Sequence, residues 1–228
     1  MRAALLLPLL VGCTGDLDPQ WQLSHDRIIA VRATPPHLAA PGDTSTIDAL
    51  LGFKDAPTAE RSPDVVQVVS PTSLAKTVAR VGGTWTVTAP SDADLAAART
   101  ELGLAADAPV PLQLGVGFAQ GTLGATKLVV LGDAGDNPTL DGLMIDGKAP
   151  GTAPLVVAPL TDIRLAVTAD DATENVNWLT SCGTMHDFDL SKAYLRVETA
   201  DPQTGELGVV LRDGKAGVAW QVWPISAQ

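Results

Sequence analysis

Side chains able to act as nucleophiles or bases are few and scattered along this chain. The 228 residues include two cysteines and three histidines. Cys182 lies four residues after Trp178, so on a strand both side chains would face the core. His186 is the one base near Cys182 in sequence, and three residues separate them. We therefore expect a buried, inert thiol at Cys182 rather than a catalytic pair.

Acidic residues gather in two segments of the C-terminal half. His186, Asp187 and Asp189 fall within four residues, and Asp170 and Asp171 fall in another loop. Calcium takes about six to eight oxygen ligands, which acidic loops at the ends of sandwiches can supply. The spacing matches no known calcium loop, so we expect solvated loops and keep Asp170, Asp171, Asp187 and Asp189 as calcium candidates. The histidines show no zinc-ligand spacing, and no cofactor is expected.

One short motif has the residue types of a serine nucleophile with a lysine base. Ser73-Leu-Ala-Lys76 matches the Ser-x-x-Lys pattern of penicillin-recognising enzymes, but their Ser-Asp-Asn and Lys-Thr-Gly elements are absent. The sequence also lacks the Gly-x-Ser-x-Gly, phosphate-loop, dinucleotide and His-Glu-x-x-His motifs. We predict that the chain is not an enzyme. The alternative, a hydrolase on a sandwich scaffold, would need a Ser, Cys or acid pair in a cleft.

Tryptophans make up more than half of the few aromatic residues, with five Trp, three Phe and one Tyr. The alternation predicts that Trp178 and Trp220 face a core. Trp223 is out of phase with Trp220 and is the candidate for an exposed binding residue that stacks on a sugar or anchors a protein. Packing under a loop or against a neighbouring domain is the alternative for Trp223.

The N-terminus has the layout of a signal peptide over residues 1 to 12, with Arg2 followed by an apolar run. The run is shorter than the about 20 residues that span a bilayer. Its end, Leu-Val-Gly-Cys13, resembles the lipobox of bacterial lipoproteins, which implies a lipid on Cys13. Thr14 instead of Asp implies the outer membrane by the same resemblance. The alternative is an ordinary secretory signal. Only in that case could Cys13 form a disulfide with Cys182, because a lipidated Cys13 has no free thiol.

Short apolar runs that alternate with polar residues predict antiparallel strands from Arg27 onward. The clearest run is 110–118, and similar alternation occurs at 47–53, 85–87 and 163–167. One exception is 92–103, a predicted helix capped by Ser91 or Asp92 and ended by Gly103. In the clearest strand, the residues predicted to face one core are Val110, Leu112, Leu114, Val116 and Phe118.

Two segments resemble immunoglobulin-like domains. Ala-Pro-Gly-Asp-Thr at 40–44 is similar to the first turn of bacterial immunoglobulin-like domains, with Pro41 and Gly42 suited to a tight turn. The runs 176–183, 207–214 and 218–220 resemble the strands of domains of the polycystic-kidney-disease (PKD) type. With the N-terminus, the chain resembles Gram-negative lipoproteins carrying such domains.

A Gly, Asp and Pro-rich stretch at 132–138 marks the predicted domain boundary. The predicted organisation is a signal peptide at 1–12, a lipidated tether at 13–26, and sandwiches at 27–132 and 138–228. In the second sandwich, 138–147 is predicted to restart a strand, with four further runs to Ile225.

Charge excludes one large class of partner. The chain carries 26 acidic and 15 basic residues, a net charge of −11, with no cluster of Lys and Arg that would bind nucleic acid. The sequence therefore predicts an all-β protein of two consecutive immunoglobulin-like β-sandwich domains with one short helix, lipid-anchored in the cell envelope, periplasmic or surface-facing. Its expected role is binding or structural, toward a protein or glycan partner, and a calcium-dependent adhesive module is an alternative.

Overall fold

A computed structural model describes residues 19–170 and 172–228. The predicted signal peptide, Cys13 and Asp171 lie outside the described residues. Two sets of strands follow one another along the chain, each closing over its own apolar core.

The first sandwich contains nine strands and the one α-helix of the described residues, α1 at Asp92–Leu102. One sheet has the order β1-β3-β7-β6 with β4 beside β3, and the other has the order β2-β9-β8-β5. Single 3₁₀ helices lie at Thr72–Thr77 and Ala119–Gly121. The strands are β1 Arg27–Thr34, β2 His37–Leu38, β3 Thr44–Gly52, β4 Ala59–Arg61, β5 Val65–Ser70, β6 Val78–Val81, β7 Thr84–Thr88, β8 Val110–Phe118 and β9 Leu123–Leu131.

The second sandwich contains eight strands in two four-stranded sheets, β10-β12-β15-β14 and β11-β17-β16-β13. The strands are β10 Met144–Ile145, β11 Leu155–Val157, β12 Asp162–Ala166, β13 Glu174–Thr180, β14 Thr184–His186, β15 Lys192–Arg196, β16 Thr204–Asp213 and β17 Val218–Ala227.

Both sandwiches have the same strand order. With β4 set aside, the strands of each domain can be lettered A, A′, B, C, D, E, F and G along the chain, and both domains then form an A-B-E-D sheet and an A′-G-F-C sheet. In each domain A′ pairs in parallel with G, and the other neighbours pair antiparallel. This is the order of immunoglobulin constant-type sandwiches. The predicted all-β class with two immunoglobulin-like sandwiches is confirmed.

The alternating pattern of β8 places its apolar residues as predicted, because successive side chains of a strand point to opposite faces. All five predicted core residues of this strand are buried in the first core. The predicted helix is confirmed as well. The Ser91 hydroxyl accepts a bond from the Asp94 N–H at 3.2 Å, and Gly103 ends the helix with a φ of 66°. The turn at 40–43 closes through a bond from the Asp43 N–H to the Ala40 carbonyl.

The prediction of a strand over 138–147 is largely wrong. Only Met144–Ile145 pairs with a neighbour, and seven strands follow instead of four runs. Gly142 and Gly147 have φ values of 61° and 75°, in the left-handed region that interrupts an extended strand.

Residues 20–25, which we call the strap, belong to the folded body, so the predicted tether does not extend over them. Leu23 is buried, and its N–H donates to the Thr180 carbonyl at 2.9 Å. The Thr180 N–H in turn donates to the Trp21 carbonyl at 2.9 Å. Leu23 is buried in the apolar cluster between the two sandwiches, and Trp21 is partly buried against the core of the second sandwich. The polar residues around them in the sequence did not indicate this burial.

Candidate functional site

The two sandwiches pack against each other through sheet faces that point away from their own cores. The outer face of the β1–β3 sheet contributes Ala30 and Leu50, and the outer face of the β16–β17 sheet contributes Val210 and Trp220. Leu23 of the strap completes this third apolar cluster. A buried cluster shared between domains holds them as one unit, in contrast to two modules on a flexible linker.

Polar contacts around Trp220 close the same interface. The Arg32 guanidinium lies 3.9 Å from the centre of the Trp220 ring. The indole N–H donates to Glu60 Oε1 at 2.6 Å, and Arg32 also pairs with Asp48, with Nη2 and Oδ2 2.6 Å apart. Arg32, Asp48 and Glu60 belong to the first sandwich and Trp220 to the second, so a cation–π contact and a hydrogen bond join the two domains beside the apolar cluster.

The β16–β17 hairpin turn is held by side chains of the first sandwich. His37 Nε2 lies 2.6 Å from the Lys215 carbonyl oxygen, and the buried Lys127 ammonium donates to the Ala216 carbonyl. Burial lowers the pKa of Lys127 to about 8, against a smaller raising effect from Asp213. Asn137 bridges the domains by donating to the Ala33 carbonyl and accepting from the Val218 N–H.

The sequence analysis assigned two tryptophans to the wrong faces of β17. Trp223, the candidate for an exposed binding residue, is only 1% exposed, lies in the second core and donates its indole N–H to the Gly151 carbonyl at 2.7 Å. Trp220 points out of that core and is buried by the first sandwich. The predicted alternation is right, but both faces of β17 are covered, so the pattern alone does not distinguish core from interface.

Cys182 is buried in the second core beside Trp178, as predicted. Burial, helped by Asp201, raises the pKa of its thiol, which disfavours the reactive thiolate. His186 instead stacks on Tyr194, with ring centroids 4.4 Å apart and an interplanar angle of 7°. The arrangement does not assemble a Cys and His pair.

Of the acidic calcium candidates, Asp170 is hydrogen-bonded within its own loop, and Asp187 and Asp189 lie in a different loop. Asp170 accepts bonds from the Ala172 N–H and the Thr173 hydroxyl. Across residues 19–170 and 172–228, no group of three or more His, Cys, Asp or Glu is placed to hold a metal ion. Asp187 and Asp189 follow β14.

The Ser-x-x-Lys motif lies in the 3₁₀ helix Thr72–Thr77, next to the end of α1. Ser73 is exposed, and its N–H donates to Glu101 Oε2 at 3.1 Å. The Thr72 N–H and hydroxyl both donate to Glu101 Oε1. These bonds, with that of the Ser73 hydroxyl first, lower the pKa of Glu101 to about 2. Ser73 of the motif, together with Thr72, therefore contacts the end of α1 through the Glu101 carboxylate.

A crevice of about 440 Å³ opens between the domains beside the strap. It is lined in part by Phe53, Pro57, Ser181 and Glu206. Ser181 Oγ accepts a bond from the Glu206 N–H at 2.9 Å, and the Glu206 carboxylate accepts from the Thr58 N–H and hydroxyl. The carboxylate is thus turned to the neighbouring domain and is not positioned as a base for Ser181.

The face best equipped to contact a charged partner is the outer side of the β10-β12-β15-β14 sheet, which we call the Tyr194 face. Strand pairing places Arg164, Tyr194 and His186 in one row across three strands. Lys192 and Arg196 flank Tyr194 on β15. The outward residues of these strands are Met144, Asp162, Arg164, Ala166, Thr184, His186, Lys192, Tyr194 and Arg196.

Among the strand residues of the Tyr194 face there are three cations and one acid, and Glu198 just beyond β15 adds a second acid, in a chain whose net charge is −11. Arg196 is engaged, with Nη1 at 3.1 Å from Asp162 Oδ1 and Nε bonded to Glu198. Arg164 and Lys192 are exposed and form no ion pair within the described ranges. The face thus combines two available cations with a stacked aromatic pair.

The sequence analysis missed this face because its residues come from three separate strands. A partial signal was present in Lys-Ala-Tyr-Leu-Arg at 192–196, where polar and aromatic residues alternate with apolar ones. That alternation predicts one shared outward face for Lys192, Tyr194 and Arg196. Only the pairing of β12 and β14 with β15 adds Arg164 and His186.

No protein-family model and no curated protein matches this sequence. Among solved structures, the N-terminal Ig1-2 module of the Drosophila receptor protein tyrosine phosphatase DLAR aligns over 87% of this chain and 98% of its own, at 10% identity and a TM-score of 0.29. Fibronectin(III)-like modules of Clostridium thermocellum CbhA align over 87% and 94%, at 13% identity and a TM-score of 0.27.

A nucleoside hydrolase-related hypothetical protein from Saccharophagus degradans aligns over 38% of this chain, at 14% identity and a TM-score of 0.31. The alignment spans only 25% of that protein's length. The immunoglobulin-like assignment rests on the strand order described above.

Within the described part of the chain, no helix has the length and apolar character needed to cross a bilayer.

Proposed function

We propose that this chain is a non-enzymatic, lipid-anchored binding protein of the cell envelope that recognises an anionic glycan through the Tyr194 face. The observation that carries the proposal is the row of Arg164, Tyr194 and His186, flanked by Lys192, on an otherwise acidic protein. The all-β fold supports a binding or structural role, since such sandwiches position surfaces for recognition.

The chemistry of the row suits a sugar that carries carboxylate or phosphate groups. Arg164 and Lys192 supply charge-assisted donors for such groups. Stacking on His186 limits the rotation of the Tyr194 side chain. The Tyr194 hydroxyl therefore has a defined position from which it can hydrogen-bond a sugar. Charges more than about 8 Å away are largely screened at physiological salt. The cations of Arg164 and Lys192, which form no ion pair among the described residues, therefore weigh more at this face than the distant acids of the chain.

Anchoring rests on the lipobox-like Leu-Val-Gly-Cys13 of the sequence. Three acyl chains would hold the protein to a membrane, because each buried CH₂ contributes about 0.8 kcal/mol. Replacing Cys13 with Ser should move the protein from the membrane fraction to the soluble fraction. A Cys13→Ser variant that stays in the membrane fraction would refute lipid anchoring.

Glycan recognition is tested by affinity electrophoresis in gels containing polygalacturonate, with neutral dextran gels for comparison. The native chain should be retarded only by polygalacturonate, and Arg164→Ala and Tyr194→Ala should each reduce the retardation. Arg80→Ala is the matched control, since Arg80 is an exposed cation on β6 of the other sandwich. Equal migration of the native chain in both gels, or an equal loss in Arg80→Ala, would contradict the proposal. Retardation by polyglutamate but not by polygalacturonate would contradict glycan binding and would indicate an acidic protein as the ligand.

A further inference from the structure

The outer side of the β5-β8-β9 sheet carries no charge, and we call it the uncharged face. Alternation along each strand sets eleven residues on it, opposite to those that enter the first core. They are Val65, Gln67, Val69, Pro111, Gln113, Gly115, Gly117, Gly124, Thr126, Leu128 and Val130. In a chain that is 18% charged, eleven neighbouring outward-facing positions without one charge form a distinct surface.

The uncharged face has both raised and hollow parts. Val65, Val69 and Leu128 are 46%, 44% and 44% exposed and form the raised parts. Gly115, Gly117 and Gly124 line a shallow trough of about 600 Å³. A surface that contains both raised and hollow parts of the same chemistry can fit a copy of itself across a two-fold axis.

The net charge of the chain favours a second copy of this chain as the partner that binds the uncharged face. Two molecules with a net charge of −11 repel one another wherever their acidic surfaces meet. The uncharged face is a region where two copies can approach closely without opposing like charges. A strongly charged partner would gain no ion pair there, and its charges would lose water without compensation.

The area of the uncharged face determines how strong self-association through it should be. The strands β8 and β9 have nine residues each and β5 has six, so with a spacing of about 4.8 Å the patch measures at most roughly 30 by 15 Å, or about 450 Å² on each copy. Two such patches bury less than the about 1,200 Å² at the low end of standard interfaces, which is the range of weak complexes.

We infer that the uncharged face is a self-association surface, through which two copies of this chain pair sheet to sheet as a weak, two-fold symmetric dimer. The raised valine and leucine side chains of one copy lie against the glycine trough of the other. This surface lies on the first sandwich, apart from the Tyr194 face of the second, so each inference stands without the other.

The test is sedimentation velocity of the full chain across concentrations of about 1 to 300 μM, the range in which a weak dimer forms. The native chain should shift from monomer to dimer. Leu128→Lys should weaken dimerisation at least about tenfold, because the two-fold axis brings the new charges together. Val81→Lys is the matched control, since Val81 is exposed on β6 of the other sheet and the substitution changes the net charge equally.

Salt gives a second, independent readout. Raising NaCl from about 0.05 to 0.5 M should strengthen the dimer, because screening reduces repulsion between acidic copies while an uncharged contact is unaffected. A chain that stays monomeric throughout, a dimer equally weakened by Leu128→Lys and Val81→Lys, or a dimer weakened by salt would each overturn the inference. Unchanged thermal unfolding of both variants will show that they are folded.

Discussion

Lys127 shows how a single buried cation ties stability to pH. Its ammonium is buried at the domain interface, where it donates to the Ala216 carbonyl. Loss of hydration lowers its pKa from 10.5 to about 8. Between these values the unfolded chain binds the proton more tightly than the folded chain, so stability rises as pH increases through this window.

We predict that replacing Lys127 with Met removes this rise. Between about pH 8 and pH 10, the free energy of unfolding of the native chain should rise relative to that of Lys127→Met by up to about 3 kcal/mol. Guanidinium unfolding at both pH values measures the difference. Lys76→Met, at an exposed site, should show no such pH-dependent difference from the native chain. Parallel pH profiles for the native chain and Lys127→Met would disprove the prediction.

At the scale of elements, the end of α1 depends on one glycine. Gly103 has a φ of 66°, and its N–H bonds to the carbonyls of Arg99 and Thr100. A side chain at this φ is strained, so Gly103→Ala should reduce the free energy of unfolding by about 1 kcal/mol. Gly151→Ala is the control, because an added Cβ there meets nothing within 4 Å. Denaturant unfolding of both variants checks the prediction, which fails if their stabilities match.

Elements with a single buried face were predictable from the sequence. The residues of β8 alternate between apolar and other types because one side faces the core and the other faces solvent. The α1 cap at Ser91 and the turn at Pro41 and Gly42 were also predictable, since local residue types determine them.

Elements with two buried faces were not assigned correctly. Along β17, Trp220 and Trp223 are both apolar and both buried, and only the packing of the other sandwich makes one of them an interface residue. The Tyr194 face was missed for a related reason. Its members are neighbours through pairing between strands, and strand pairing is not visible in the local pattern of any one strand.

At the scale of the whole molecule, the interface should make the two sandwiches unfold together. Trp220 links Arg32 and Glu60 of the first sandwich to the second. Removing a buried Trp side chain lowers the free energy of unfolding by about 3–5 kcal/mol. At position 220 this loss weakens the contact between the domains. We predict one calorimetric transition for the native chain and two for Trp220→Ala.

Trp220→Phe is the informative companion variant. It keeps much of the packing and loses the N–H bond to Glu60, so it should retain a single transition at a lower melting temperature. Two transitions already present in the native chain would show that the domains are energetically independent.

The strap changes how a pull from the membrane would travel through the protein. In the lipid-anchored state proposed above, tension enters at Trp21–Leu23, whose backbone bonds lead directly to Thr180 of the second sandwich. The Leu23 and His25 carbonyls also lie so close to Gly52 of the first sandwich that an added Cβ there would sit 2.9 Å from each. In that state a pull would reach the second sandwich through these backbone bonds before it passes along the chain into β1 of the first sandwich.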